Sequence, residues 1–145
     1  MRYLLLGWMV GLSYAQGLEK SIPQAFARAK QERKLLWVMV SATWCKPCKV
    51  VEKKVLSNPE FFKKVANDYV LLKVYASSGE QTTPGAEEIV QRYKVKAYPT
   101  FLYLSPEGEL LHQDEGVSTR VYKGSSSQAV EYFVEEMAKV KKRYK

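Results

Sequence analysis

The segment "SATWCKPCKV", residues 41–50, carries the only two cysteines of a 145-residue chain, Cys45 and Cys48. They stand three positions apart, and that spacing admits metal ligation, a structural staple or thiol–disulfide exchange. A structural zinc site wants four Cys or His ligands, whereas this chain offers two cysteines and a single histidine, His112. Asp or Glu could complete such a site, but no paired spacing supplies them. No metal is therefore expected, and His112 reads as a surface or hydrogen-bonding residue. A staple across two intervening residues closes a very small loop and removes little entropy from the unfolded chain. Exchange accounts for more of the surroundings.

Upstream, "KLLWVMVSA" supplies a continuous apolar run from Leu35 to Val40, the pattern of a strand buried on both faces. Downstream, "CKVVEKKVL" has helical spacing, with Val51 and Val55 one turn apart. Cys45 thus falls where a strand gives way to a helix. The helix dipole and its free backbone N–H groups stabilise a thiolate there, and the thiolate is the attacking species in disulfide exchange. Lys46 adds a nearby positive charge, of small effect when exposed. Pro47 costs no intrahelical hydrogen bond in a first turn and stiffens the link between the sulfurs. Cys48, one turn on, is expected to be sheltered and to resolve the mixed disulfide, leaving one exposed thiolate at Cys45.

The first residues, "MRYLLLGWMVGLSYAQG", read as a secretory leader: Arg2, an apolar run from Leu4 to Leu12, then Ser13-Tyr14-Ala15. Cleavage is expected after residue 15, leaving residues 16–145 as one domain. The run is well short of the roughly 20 residues of a spanning helix, so the mature chain is not expected to span a membrane. Export, to a periplasm or other outside compartment, lets disulfides persist. A composition of 46% hydrophobic and 26% charged residues supports a globular core and excludes disorder. The formal net charge is +8, or +7 without residues 1–15, whose only charge is Arg2. That charge is scattered except at the tail "KVKKRYK", and no basic stripe with interleaved aromatics argues for nucleic acid.

Along the chain, residues 21–33 read as a helix capped by Ser21. "PEFFKKVAND" opens at Pro59 behind the cap Asn58, and "YVLLKVYA" is a second buried strand. A polar loop covers residues 77–86, and Pro84 opens a short helix through Tyr93. "TFLYLS" and "LLHQDEG" are strands joined by the turn "PEGE". "VSTRVYKGSSS" reads as irregular, and a last helix covers residues 127–142, with Val130, Phe133, Val134, Met137 and Val140 as its apolar stripe. This α/β order of crossovers and a terminal hairpin implies a mixed sheet with helices on both faces.

Taken together, "WCKPCK" after an apolar strand and "VKAYPTFLYL" before another resemble the two halves of the thioredoxin superfamily signature. The resemblance implies a thioredoxin-like fold with a central sheet of four to five strands and a redox-active disulfide, Cys45–Cys48. It implies that Pro99 is cis and lies against the sulfurs, and that Tyr98 lends its backbone to an extended substrate. Trp44, Lys46, Pro47 and Thr100 complete the implied binding surface. The run Cys48-Lys49, Glu52-Lys53, with Ser57 and Pro59 beyond, is similar to exported thioredoxin-like domains such as the C-terminal domain of DsbD, which receive electrons across the membrane. That implies protein-disulfide reduction. Export implies a membrane thiol carrier as the electron source, no bound cofactor is expected, and a monomer is the default expectation. Thioredoxins usually place a buried Asp where this chain has Met39, so proton transfer at Cys48 must fall to water or to another group such as Glu52. Two alternatives remain open: an oxidase or isomerase that donates or shuffles disulfides, and a thioredoxin-scaffold binding or chaperone module without turnover.

Overall fold

Seven consecutive residues, Leu35–Ser41, form strand β1, and every one of them is buried. In the computed structural model, which describes residues 17–144, β1 lies inside a sheet and is covered on both faces. Parallel to it runs β2 (Tyr69–Tyr75), and antiparallel on its other side runs β3 (Thr100–Leu104). β4 (Leu110–Glu115) pairs antiparallel with β3, giving the order β2-β1-β3-β4. The expectation of four to five strands resolves into four, with an isolated parallel bridge between Glu19 and Leu72 beside β2. The leader expected over residues 1–15 lies outside the described residues.

Alternation along β1 sorts its side chains into two cores. Leu35, Trp37 and Met39 face a cluster that holds both cysteines, Phe61 and Phe133, while Leu36, Val38 and Val40 face a second one. The second core is closed by α1 (Ile22–Glu32) and α4 (Ala86–Arg92) through Ala25, Ala29, Ala86 and Ile89. The first is closed by α2 (Lys46–Val51), α3 (Pro59–Val65), α5 (Thr119–Lys123) and α6 (Ser126–Tyr144). At its centre Trp37 meets Phe61, Phe101 and Phe133 with ring centroids 5.6, 5.5 and 5.7 Å away. Across the β1–β3 register, Trp37 faces Tyr103. Trp37 Nε1 and the Tyr103 hydroxyl are the buried side-chain polar atoms without a hydrogen-bond partner among the described residues. Burial pushes the Tyr103 hydroxyl pKa far up, and the nearby indole N–H only partly offsets this.

The caps expected from sequence are present. The Ser21 side chain accepts the Gln24 N–H at 3.4 Å, and Asn58 accepts the Glu60 N–H at 3.0 Å. Three expectations need correction. The segment read as irregular contains α5, capped by Ser118 through the Arg120 N–H at 3.2 Å. Pro84 precedes α4 rather than opening it, because Gly85 occupies the cap at φ 90°, a conformation only glycine adopts freely. The last helix also runs further than expected at both ends, over Ser126–Tyr144.

Phe133 touches Trp37, Phe101 and Tyr132 at once. Phe133→Ala should therefore cost about 3–5 kcal/mol in urea unfolding, the range for deleting a buried aromatic.

Candidate active site

Because β1 and β2 are parallel, their C-terminal ends finish side by side, where the Ala76 N–H donates to the Ser41 carbonyl at 2.8 Å. The chain then turns, with the Cys45 N–H on the Ala42 carbonyl at 3.1 Å, and enters α2. Cys45 is the N-cap of α2, in extended conformation, and its sulfur accepts the Cys48 N–H at 3.2 Å. Cys45 and Cys48 form a disulfide with Cα atoms 5.3 Å apart. The strand-to-helix junction thus aims a helix N-terminus at the Cys45 sulfur, and the N–H bond would strengthen once that sulfur is anionic.

Cys48 is sealed at 0% exposure, as expected, but Cys45 is only 4% exposed. The exposed sulfur anticipated from sequence is covered in the disulfide form, because both cysteines belong to the buried cluster that Val121 of α5 also joins. What faces solvent is the rim: Trp44 at 63% exposure, with Lys46 and Pro47 also exposed. A loop after β2 holds this rim in place. The Trp44 indole N–H donates to the Ser77 carbonyl at 2.7 Å, and Ser77 Oγ lies 3.2 Å from the Tyr98 hydroxyl. Tyr98 meets Trp44 edge-on at 5.8 Å. Ser77 takes a left-handed conformation, φ 51°, to make both contacts. The neighbouring Ser78 Oγ accepts the Thr43 N–H at 3.0 Å.

The Tyr98–Pro99 peptide bond is cis. Thr100, fully buried, donates to the Ala97 carbonyl at 2.7 Å and so tightens the turn that carries Tyr98. The Gly116 N–H reaches the Pro99 carbonyl at 2.8 Å, with Gly116 at φ 78°. Trp44, Tyr98 and the turn into Thr100 are thereby brought beside the cysteine pair. Ser77 and Ser78 were missed at the sequence level, where residues 77–86 read as a plain surface loop. A signal existed: two serines directly after a strand parallel to β1 must end beside the residues that follow β1.

Met39 is fully buried in the cluster that contains both cysteines. Glu52, one turn after Cys48, sits at the start of a π-helical segment, Glu52–Leu56, that continues α2. Its carboxylate accepts hydrogen bonds from Ser41 Oγ and the Tyr75 hydroxyl, each at 3.2 Å. Lys73 Nζ lies 3.7 Å from the same oxygen and donates to the Tyr75 hydroxyl at 2.9 Å. Glu52 and Tyr75 of this network line a cleft of about 290 Å³ with Ala42, Thr43, Lys49 and Gln81. Lys49 also donates to the Thr43 carbonyl at 2.7 Å, bracing the turn before the motif.

A thioredoxin-like domain family matches residues 22–120, and the chain belongs to that family. It is 37% identical over 71 residues to Thioredoxin-1 of Drosophila melanogaster, covering 49% of this chain and 57% of that one. It is 30% identical over 91 residues to the thiol:disulfide interchange protein DsbD 2 of Pseudomonas aeruginosa, covering 61% of this chain but 14% of that protein. The chain thus spans little more than half of the first relative and a small part of the second. Among solved structures it superposes on a DsbH oxidoreductase with a TM-score of 0.64 at 18% identity, over 92% of this chain and 95% of that one. That likeness establishes the fold. No helix among the described residues is long and apolar enough to cross a membrane.

Proposed function

We propose that the protein is an exported thiol–disulfide oxidoreductase that reduces disulfides in other proteins. The observation that carries this reading is Cys45 at the N-cap of α2, its sulfur on the Cys48 N–H and bonded to a partner sulfur closed off from solvent. In the reduced protein that N–H and the helix dipole hold Cys45 as a thiolate. The thiolate attacks one sulfur of a substrate disulfide. A bond from Cys45 to substrate forms, the substrate S–S bond breaks, and the other substrate sulfur leaves as a thiolate.

Cys48 then loses its proton and attacks the Cys45 sulfur. The Cys45–Cys48 bond forms and the second substrate sulfur leaves, so two electrons have passed to the substrate. Trp44, Lys46 and Pro47 meet the substrate chain, and the backbone of Tyr98, with Pro99 and Thr100 beyond it, pairs with it as a short strand. Glu52 takes the Cys48 proton by way of solvent in the cleft that it lines. Its three polar partners support this role, because they fix the carboxylate at the mouth of that cleft without burying it fully.

The reducing direction rests on the likeness to DsbD, in the run Cys48-Lys49, Glu52-Lys53 and in the matched 91 residues. A reductant outside the cytosol needs an electron source, and a membrane thiol carrier supplies one by the same exchange chemistry. The leader-like pattern of residues 1–15 supports export of the domain from Gln16 onward, and a monomer is taken as the simplest state of that domain.

Trapping tests the roles of the two thiols. Cys48→Ser is expected to accumulate a mixed disulfide with a scrambled or insulin-type substrate, and Cys45→Ser to form none. The potential of the pair, equilibrated against glutathione or dithiol buffers, tests direction. A value near −270 mV, that of thioredoxin, is expected. One near −120 mV makes the protein a disulfide donor and reverses the assignment. For Glu52→Gln, single-turnover reduction should slow at neutral pH, and the defect should shrink as pH rises, because hydroxide then takes the Cys48 proton in place of the carboxylate. A defect that stays constant with pH assigns Glu52 a packing role.

A further inference from the structure

We propose that His112, Asp114 and Glu136 form a site for a divalent transition-metal cation of the zinc class, tying the edge strand β4 to α6. His112 and Asp114 stand two apart on β4, so their side chains leave the same face of the strand. That face is the one covered by α6. His112 is paired in register with Tyr103, its ring 5.3 Å from the tyrosine ring, and Tyr103 lies in the buried cluster under the helix. Glu136 comes down from α6 beside the buried Met137. One ligand atom from each of the three residues lies within 4.8 Å of the others, and His112 Nε2 is 3.1 Å from Asp114 Oδ1.

The trio is more than a patch of acids. It offers one imidazole nitrogen and two carboxylates from two elements, all three residues half-buried. Nitrogen with oxygen donors suits zinc and its neighbours better than magnesium or calcium, which take oxygen alone. The cation recorded against the trio is Lys139, 3.4 Å from Glu136 on a side chain that is 65% exposed. An exposed contact of that kind is weak and swings away readily.

A cleft of about 160 Å³ with Asp114 in its lining opens beside the trio and leaves room there for further ligands such as water. Zinc would draw the three ligand atoms in to about 2.0–2.2 Å each. The cysteines take no part, so the site is independent of the oxidation state of the pair.

The test uses the oxidised protein, whose two sulfurs are bonded to each other. Zinc chloride is titrated by calorimetry and by NMR of the imidazole ring, which is unambiguous because His112 is the only histidine in the chain. One equivalent is expected to bind, the ring signals to move, and the melting temperature to rise with zinc concentration. His112→Ala should weaken binding by roughly tenfold or more, the scale on which even residues behind metal ligands act. Glu136→Gln should do likewise, and it keeps the shape of the side chain should the alanine variant fail to fold. An absence of binding overturns the proposal. So does binding that leaves the His112 ring signals unmoved, or undiminished affinity in a folded variant.

Discussion

Everything in this molecule hangs on burying one strand on both of its faces. β1 contributes Leu35, Trp37 and Met39 to one core and Leu36, Val38 and Val40 to the other, and each such side chain gains about 1.5–3 kcal/mol on leaving water. Once β1 is fixed, its C-terminal end is fixed. The chain must leave the sheet there, and the helix it enters can satisfy its first free N–H groups only with what stands at its cap. What stands there is Cys45. The redox site is therefore a consequence of how the central strand ends, with a backbone N–H of α2 on the Cys45 sulfur.

Met39 shows what the interior of the site is made of. An ionised group wholly inside the core is costly unless it is paired, and Met39 avoids that cost by filling the cluster around the cysteines with apolar atoms. The carboxylate nearest the pair along the helix is Glu52, one turn after Cys48. It stays at the margin, where Ser41, Tyr75 and Lys73 share it and the cleft keeps it wetted. The π-helical turn that starts at Glu52 changes the pitch of the helix at the same point, which is how one element serves both a buried cysteine and a half-exposed acid.

Much of this was legible in the sequence because it is written in local terms. The apolar run of β1, the cap residues Ser21 and Asn58, the apolar stripe of α6 and the spacing of Cys45 and Cys48 each declare themselves within a few residues. Elements that owe their form to distant partners were not legible. α5 is five residues long and too short to show a period. It is held by the Ser118 cap and by Lys54, which donates to the carbonyls of Val121, Tyr122 and Gly124 at 2.8–3.1 Å from far along the chain. Ser77 looked like loop filler because its two contacts, Trp44 and Tyr98, lie 33 and 21 residues away. Glu136 reads as one more exposed helical acid until the sheet brings β4 beneath it.

By itself the sequence determined the order of elements, the two-faced burial of β1 and the dithiol at the head of a helix. Hydrophobic period and cap chemistry act over a few residues, so they survive in one dimension. Tertiary structure alone decided that Cys45 is covered in the disulfide, that Ser77 joins Trp44 to Tyr98, that Glu52 turns to Tyr75 and Lys73, and that His112, Asp114 and Glu136 converge. Each of these depends on strand order and on parallel or antiparallel register. Register is set by the packing of whole faces against one another, and no single stretch of the chain carries it.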